Sequence, residues 1–349
     1  MLPADFLKDT LHGIPSRKTF MSRTFVKELQ DGDAVNEIFL LADKQLRANR
    51  NADLYLLATL RDRTGVINGL MWNVTEESMQ PLSAGDMVRI KGKVQLYQGG
   101  LQMIINFIDH APESTWNAED FEIQAQNNVA SLLERLKELL GSIRSEKLRV
   151  LGECFLNDEK LVNDLCSAPA GIKAHHAYHG GLIEHIVSMA EVADRLCDHY
   201  PSLNRDLLLL GVLMHDLGKV RELSWDPTLA YTDEGQLLGH MNIAIEILNE
   251  KLLIARGELG GAAFDEEDVL RLKHMILSHH GTLEFGSPRL PMTPEAIVLH
   301  YIDNIDAKLH EFTRAIEDDM NKDASWTPFN PRIDRKLFKG LRKKPDQME

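Results

Sequence analysis

A chain of 349 residues with 44% apolar side chains is too long for one average domain and rich enough for two cores. Its formal charge of −14 excludes tight, sequence-independent nucleic-acid binding driven by the whole-molecule field, but it leaves room for a local basic groove. No apolar run reaches the ~20 residues of a bilayer span, "MLPADFLKDTLHGIPSRK" lacks the order of a secretory signal, and Cys154, Cys166 and Cys197 form no close pair; a reducing cytoplasm without disulfides or a thiolate zinc site follows.

In chain order, Arg23–Ala48 ("RTFVKELQDGDAVNEIFLLADKQLRA") can supply a first strand and part of a second. "DLYLLATL" (Asp53–Leu60) and "VINGLMW" (Val66–Trp72) flank the turn "RDRTG". "DMVRIKGKVQLY" (Asp86–Tyr97) and "LQMIINFIDH" (Leu101–His110) flank "QGG". Both pairs have the alternation and turn residues of β-hairpins. About five short strands with glycine turns predict a small closed barrel, with a sandwich as the alternative.

"APESTWNAEDFEIQAQN" is polar and acidic and reads as a linker. From "NVASLLERLKELLGSIRS" onward the apolar period becomes helical. The chain ends in "NPRIDRKLFKGLRKKPDQME", a Pro-broken, basic stretch that reads as solvated surface. The expected division is a barrel over 18–112, a linker over 113–127, a helical domain over 128–315 and a basic extension over 316–349.

The chemistry concentrates in the helical part. "LLLLGVLMHDLGKVRE" (Leu207–Glu222) is an apolar helix that ends in His215 and Asp216. His185 closes "HGGLIEH", His240 opens "HMNIAIEIL", His279 and His280 close "LRLKHMILSHH", and Asp303 sits in "LHYIDNIDAKL". Each stands at or near the end of an apolar helix, where packing can gather them around one cavity. Imidazoles and carboxylates without thiolates suit transition-metal ions. The set exceeds the needs of one four-coordinate ion. Neighbouring helical residues point about 100° apart, so His215 and Asp216 can flank one ion while Asp216 reaches a second. Two ions ~3.5–4 Å apart clamp the attacking and leaving oxygens in phosphoryl chemistry. His274 and His300 are competing candidates that also read as helix-face residues. Asp306, one turn beyond Asp303, can support a ligand from behind.

"MHDLGK" with an upstream His and a downstream Asp resembles the HD-domain metal-dependent phosphohydrolases. "HHAYHGGLIEH", "ILSHHGTLEFGSP" and "LHYIDNIDAKL" are similar to the corresponding stretches of the YhaM-type 3′–5′ exoribonucleases. The resemblance covers roughly residues 18–315 and implies an OB-fold barrel before an all-α HD domain. It implies that His185, His215, Asp216 and Asp303 hold one divalent ion, and that His240, His279 and His280 hold the other with Asp216 bridging. Manganese is the expected metal, with Fe, Co, Ni or Zn as alternatives. Lys219 would neutralise charge on the scissile phosphate, against the plainer reading of a surface lysine. His175, His176 and His179 would contact substrate, or form a plain polar loop.

OB-folds hold single strands with basic and aromatic side chains. The barrel candidates are Arg61, Arg63, Arg89, Lys91 and Lys93 for phosphate and Tyr55, Trp72 and Tyr97 for stacking, although half of such residues in alternating strands face a core. The implied activity is hydrolysis of single-stranded RNA, with DNA as a second substrate, to nucleoside 5′-monophosphates. A nucleotide or cyclic-dinucleotide phosphohydrolase and a non-catalytic strand-binding protein are the rival readings. Homo-oligomerisation is open.

Overall fold

The computed structural model describes residues 23–49, 51–97, 100–121, 128–171, 178–225, 229–319, 321, 324–330 and 332–340. Strands β1 (Ala34–Ala48), β2 (Leu54–Asp62), β3 (Gly65–Trp72), β4 (Met87–Tyr97) and β5 (Gly100–His110) close into a barrel in the order β1-β2-β3-β5-β4. Both hairpins form as the alternation predicts. Closure comes from a parallel pairing of β3 with β5, from Asn68↔Gln102 to Leu70↔Ile104. The short helix α1 (Glu76–Met79) lies between β3 and β4, capped by the Thr75 hydroxyl. This strand order with its intervening helix is that of an OB-fold, and it removes the sandwich alternative.

One expectation changes here. Arg23–Ala48 holds no part of a second strand. β1 runs unbroken, pairing with β4 through its first half and with β2 through its second. A register shift between Leu41 and Asp43 bends it, so one strand serves two neighbours. Burial alternates in β2, where Leu56, Ala58 and Leu60 fill the barrel with Phe39, Val88 and Ile90.

The stretch read as a linker is also different in its first half. Ala111 and Phe121 are buried with Ile38, and Trp116 packs against them. Two aromatic side chains in a polar segment are enough to dock it on the barrel's outer face, at a gain of roughly 1.5–3 kcal/mol per buried large side chain. Residues 122–127 lie outside the described residues.

The remainder is helical: α2 (Val129–Gly141), α3 (Glu146–Leu156), α4 (Glu159–Ser167), α5 (Gly181–His199), α6 (Arg205–Met214), α7 (Lys219–Glu222), α8 (Asp233–Glu258), α9 (Glu266–Ser278) and α10 (Pro294–Glu317). A two-stranded ribbon, β6 (Leu223–Ser224) with β7 (Ala230–Tyr231), joins α7 to α8. Side chains of Asn128, Ser145, Asp158, Asn204, Thr232, Asp265 and Thr293 accept from backbone N–H groups at the helix starts. α6 is buried from Leu207 to Met214 on every side, which explains why its sequence lacks an amphipathic stripe. It is the axis of the helical core, with α5, α9 and α10 packed around it.

The C-terminal stretch is not wholly solvated. Trp326 bridges Phe338 and Asn330 bridges Arg335, with Ile333 and Leu337 buried between them. Among the described residues no helix is long and apolar enough to cross a membrane.

Candidate metal centre

The centre is built where α6 runs out. His215 is the C-cap of α6, and the chain turns tightly through Asp216 into α7. Gly218 makes this possible, because a Cβ there would stand 1.9 Å from the His240 carbonyl oxygen. The same contact brings α8 against the turn. Within α8, Gly239 adopts φ 71° and ψ 153°, a break that only glycine takes readily. The break swings His240 inward as the first residue of a new helical run. His185 comes from the first turns of α5, and His279 and His280 from the end of α9. Asp303 departs from the helix-end pattern; it projects from the middle of α10. Gly218→Ala is expected to destabilise the fold by at least about 3 kcal/mol, the upper range for overpacking against rigid backbone. Thermal unfolding in EDTA checks this, and an unchanged midpoint would show that α7 and α8 can separate freely.

Asp216 is the hub. Its Oδ2 lies 3.7 Å from His185 Nε2 and 3.4 Å from His215 Nε2. Its Oδ1 lies 3.5 Å from His240 Nε2 and 3.6 Å from His279 Nε2. Asp303 Oδ1 stands 3.5 Å from His185 Nε2. Two sets of ligand atoms, His185–His215–Asp216 and His240–His279–His280, each fall within 4.8 Å of one another. These separations exceed a normal N–H···O bond of about 2.9 Å. They match two ligand atoms each about 2.1 Å from a shared ion, which at a tetrahedral angle lie about 3.4 Å apart.

The proton positions agree. His215 Nδ1 donates to the Val212 carbonyl at 2.8 Å, His279 Nδ1 to that of Ile276 at 2.8 Å, and His280 Nδ1 to that of Phe285 at 2.9 Å. His240 Nδ1 faces Glu222 Oε1 at 3.1 Å and His185 Nδ1 faces Asp306 Oδ2 at 2.7 Å. Carbonyls and carboxylates accept only, so each Nδ1 carries the hydrogen and each Nε2 turns a lone pair inward. Among the described residues, the buried Nε2 atoms of His215, His240 and His279 and Oδ1 of Asp216 have no hydrogen-bond partner. Each such group costs roughly 1–3 kcal/mol if nothing meets it. Cations meeting these lone pairs remove the cost, so the residues fit divalent metal binding.

The electrostatics are those of a ligand set. Burial, then the neighbouring His279, pushes His280 down to about 4, and burial lowers His279. Both are therefore neutral imidazoles at pH 7. Burial would raise Asp216 and Asp303, but Lys219 and His215 hold Asp216, and His185 and His215 hold Asp303, below the usual carboxylate range. Burial would lower His185, yet with no cation present Asp303 and Asp306 together lift it to about 9, so an ion meeting its Nε2 has to displace a proton there.

The remaining sequence candidates fall into three groups. Lys219 is not a surface lysine; its Nζ donates to Asp216 Oδ2 and to the Ala170 carbonyl, both at 2.6 Å. His274 accepts from the Met292 N–H, and His300 Nδ1 donates to the His279 carbonyl, so both stand beside the cluster rather than in it. His179 is exposed, and His175 and His176 lie outside the described residues. Sequence reasoning missed Glu222, Ser188 and the Phe285 carbonyl. Glu222 closes the same "HDLGKVRE" stretch, and its nearness to the motif was the one available signal.

On the barrel, Arg89, Lys91, Lys93 and Tyr97 alternate with buried Val88, Ile90 and Val94, so all four lie on the outer side of β4. Tyr55 and Trp72 are cross-strand partners with ring centroids 5.2 Å apart, and Trp72 is 51% exposed. Lys91 sits 5.3 Å from the ring of Phe107, an exposed aromatic the sequence reading omitted. Arg63 lies 3.9 Å from Asp120 and 4.5 Å from the Phe25 ring. Arg61 is half-buried: burial lowers its pKa, and its Nε is buried without a partner among the described residues.

Residues 182–308 match the family model described as HD domain, and residues 42–110 match tRNA_anti-codon, an OB-fold nucleic acid binding domain. The chain therefore joins an OB-fold nucleic-acid-binding domain to an HD domain, the domain of metal-dependent phosphohydrolases, and is built as a hydrolase that acts on nucleic acid. Among solved structures, the second OB-fold domain of replication protein A from Methanococcus maripaludis is 18% identical, covering 26% of this chain and 97% of its own, with a TM-score of 0.23. A crystal structure of a domain of the same protein is 22% identical, covering 27% and 99%, also at 0.23. The aspartyl tRNA synthetase from Entamoeba histolytica is 12% identical, covering 73% of this chain and 64% of its own, at 0.23.

Proposed function

We propose that the protein is a 3′–5′ exonuclease that hydrolyses single-stranded RNA, and DNA as a second substrate, to nucleoside 5′-monophosphates. The observation that carries the hydrolytic part is the placing of Asp216, with one oxygen toward His185 and His215 and the other toward His240 and His279. The 3′ polarity rests on the motif resemblance.

His185, His215, Asp216 and Asp303 would hold one ion, and His240, His279 and His280 the other, with manganese the first expectation. Ions there supply positive charge that lowers the pKa of water and screens the phosphate. The protein's own residues do the rest. Asp216 fixes the spacing of the two ligand sets. Lys219 has three N–H donors. Asp216 and Ala170 take two, and the third is available to a phosphate oxygen at the edge of the cluster. There it would counter charge that develops as the phosphodiester is attacked. The helical domain over 128–315 carries all of these groups. The barrel over 18–112 would grip the strand, with Tyr55, Trp72 and Tyr97 as stacking platforms and Arg89, Lys91 and Lys93 along the phosphates.

The test is digestion of end-labelled single-stranded RNA across Mn, Fe, Co, Ni and Zn. A ladder shrinking from the 3′ end is expected. Cleavage confined to mononucleotides or cyclic dinucleotides would replace the exonuclease reading with a nucleotide phosphohydrolase. Retention of RNA with no cleavage under any metal would leave a strand-binding protein.

A further inference from the structure

Two of the five inward-facing histidines are backed by carboxylates, and the two carboxylates lie behind different ligand sets. Asp306 Oδ2 meets His185 Nδ1 at 2.7 Å, and the Ser188 hydroxyl donates to its other oxygen. Glu222 Oε1 meets His240 twice, accepting from its backbone N–H at 2.9 Å and from Nδ1 at 3.1 Å. The other three imidazoles rest on neutral backbone carbonyls.

Glu222 is well placed for more than packing. Its side chain is buried, and its own carbonyl is fixed by the N–H and hydroxyl of Thr232. The backbone N–H it accepts from is the first after the break at Gly239, a donor that the break leaves without a helical acceptor. The one carboxylate thus caps the new helical run and sets the ring of the residue that starts it. A charged acceptor on Nδ1 also raises the basicity of Nε2, which a neutral carbonyl does less well.

We infer that Glu222 is a positioning residue for the His240–His279–His280 ion alone, and that Asp306 does the same for the His185–His215–Asp303 ion, so that each ion position has its own carboxylate control. The inference rests on the two-ion reading above. It adds that the positions can be weakened one at a time from behind, without touching a ligand.

The experiment uses the full-length protein and reads metal content, not activity. Mn²⁺ is titrated by equilibrium dialysis with elemental analysis of wild type, Glu222→Gln, Glu222→Ala, Asp306→Asn and the Glu222→Gln/Asp306→Asn pair. Unfolding midpoints in EDTA are recorded for each. Wild type should hold two ions per chain. Glu222→Ala should keep one at wild-type affinity and weaken the other roughly 10–100-fold. Glu222→Gln keeps the volume and one acceptor, so its loss should be smaller and its EDTA midpoint near wild type. Asp306→Asn should also weaken one ion, and the pair should weaken both. His280→Ala added to Glu222→Ala should leave the remaining ion intact. Two ions at wild-type affinity in both Glu222 variants would overturn the inference. Equal weakening of both ions in Glu222→Gln, with an unchanged EDTA midpoint, would overturn it as well, since control would then be shared. Fewer than two ions in wild type is a different result, which sinks the two-ion reading itself.

Discussion

Asp216→Ala protein should lose both ions and nearly all hydrolysis. Among the described residues, Asp216 is the one side chain that reaches both ligand sets, at 3.4–3.7 Å from four imidazole Nε2 atoms. Removing it leaves His185, His215 and Asp303 on one side and three imidazoles on the other, with no anion between the charges. Lewis-acid stabilisation is worth several kcal/mol, and each 1.36 kcal/mol is about tenfold in rate, so a fall of at least about a thousandfold is expected. Elemental analysis beside a phosphodiesterase assay measures both. Asp216→Asn separates charge from shape, because it keeps the volume and one carbonyl oxygen while removing the negative charge. Full occupancy in Asp216→Ala would sink the bridging role. The change also strips Lys219 of a partner, so the EDTA melting midpoint should be compared with that of Asp216→Asn.

The second large effect is expected from removing the barrel. The barrel's apolar core and that of the helical region share no residue. A chain beginning near residue 125 should therefore retain its ligand set, bind metals and cleave small phosphodiesters. Its KM for long single-stranded RNA should rise roughly 100-fold or more, since stacking is worth about 1–3 kcal/mol per base and three platforms are lost. The salt dependence of RNA binding should flatten, because fewer phosphates are neutralised. The measurement is kcat/KM on a short and a long oligonucleotide for both forms. An equal drop on the two substrates would mean that the barrel is architectural and does not hold the strand.

The hairpins of the barrel could be read directly, because alternation and turn chemistry are local properties of "DLYLLATL–RDRTG–VINGLMW" and its successor. β1 could not. Whether a long apolar stretch is one bent strand or two depends on which neighbours it pairs with, and β4 lies far along the chain. Nothing local marks Phe121 and Trp116 as docking residues in an acidic stretch, because Ile38, the surface they pack on, lies far back in the chain. Arg61 read as an available cation, and only the packing around it shows that it is half-buried.

For the centre, the sequence by itself determined the inventory. Histidines and aspartates that end apolar helices or interrupt them are costly there without a partner, and that cost is visible in one dimension. Gly218 stands in plain view in "MHDLGK", but the His240 carbonyl that makes a side chain impossible there is met only in the fold. The tertiary structure decided everything that depends on direction. It set which oxygen of Asp216 faces which histidines. It placed Asp306 behind His185 across 121 residues of chain, and Glu222 behind His240 through a break in α8. The reason is that a side chain's identity is written locally, whereas the direction of its lone pair is set by the acceptor on its far side. Those acceptors are brought up by helices that the chain reaches only after it has folded back on itself.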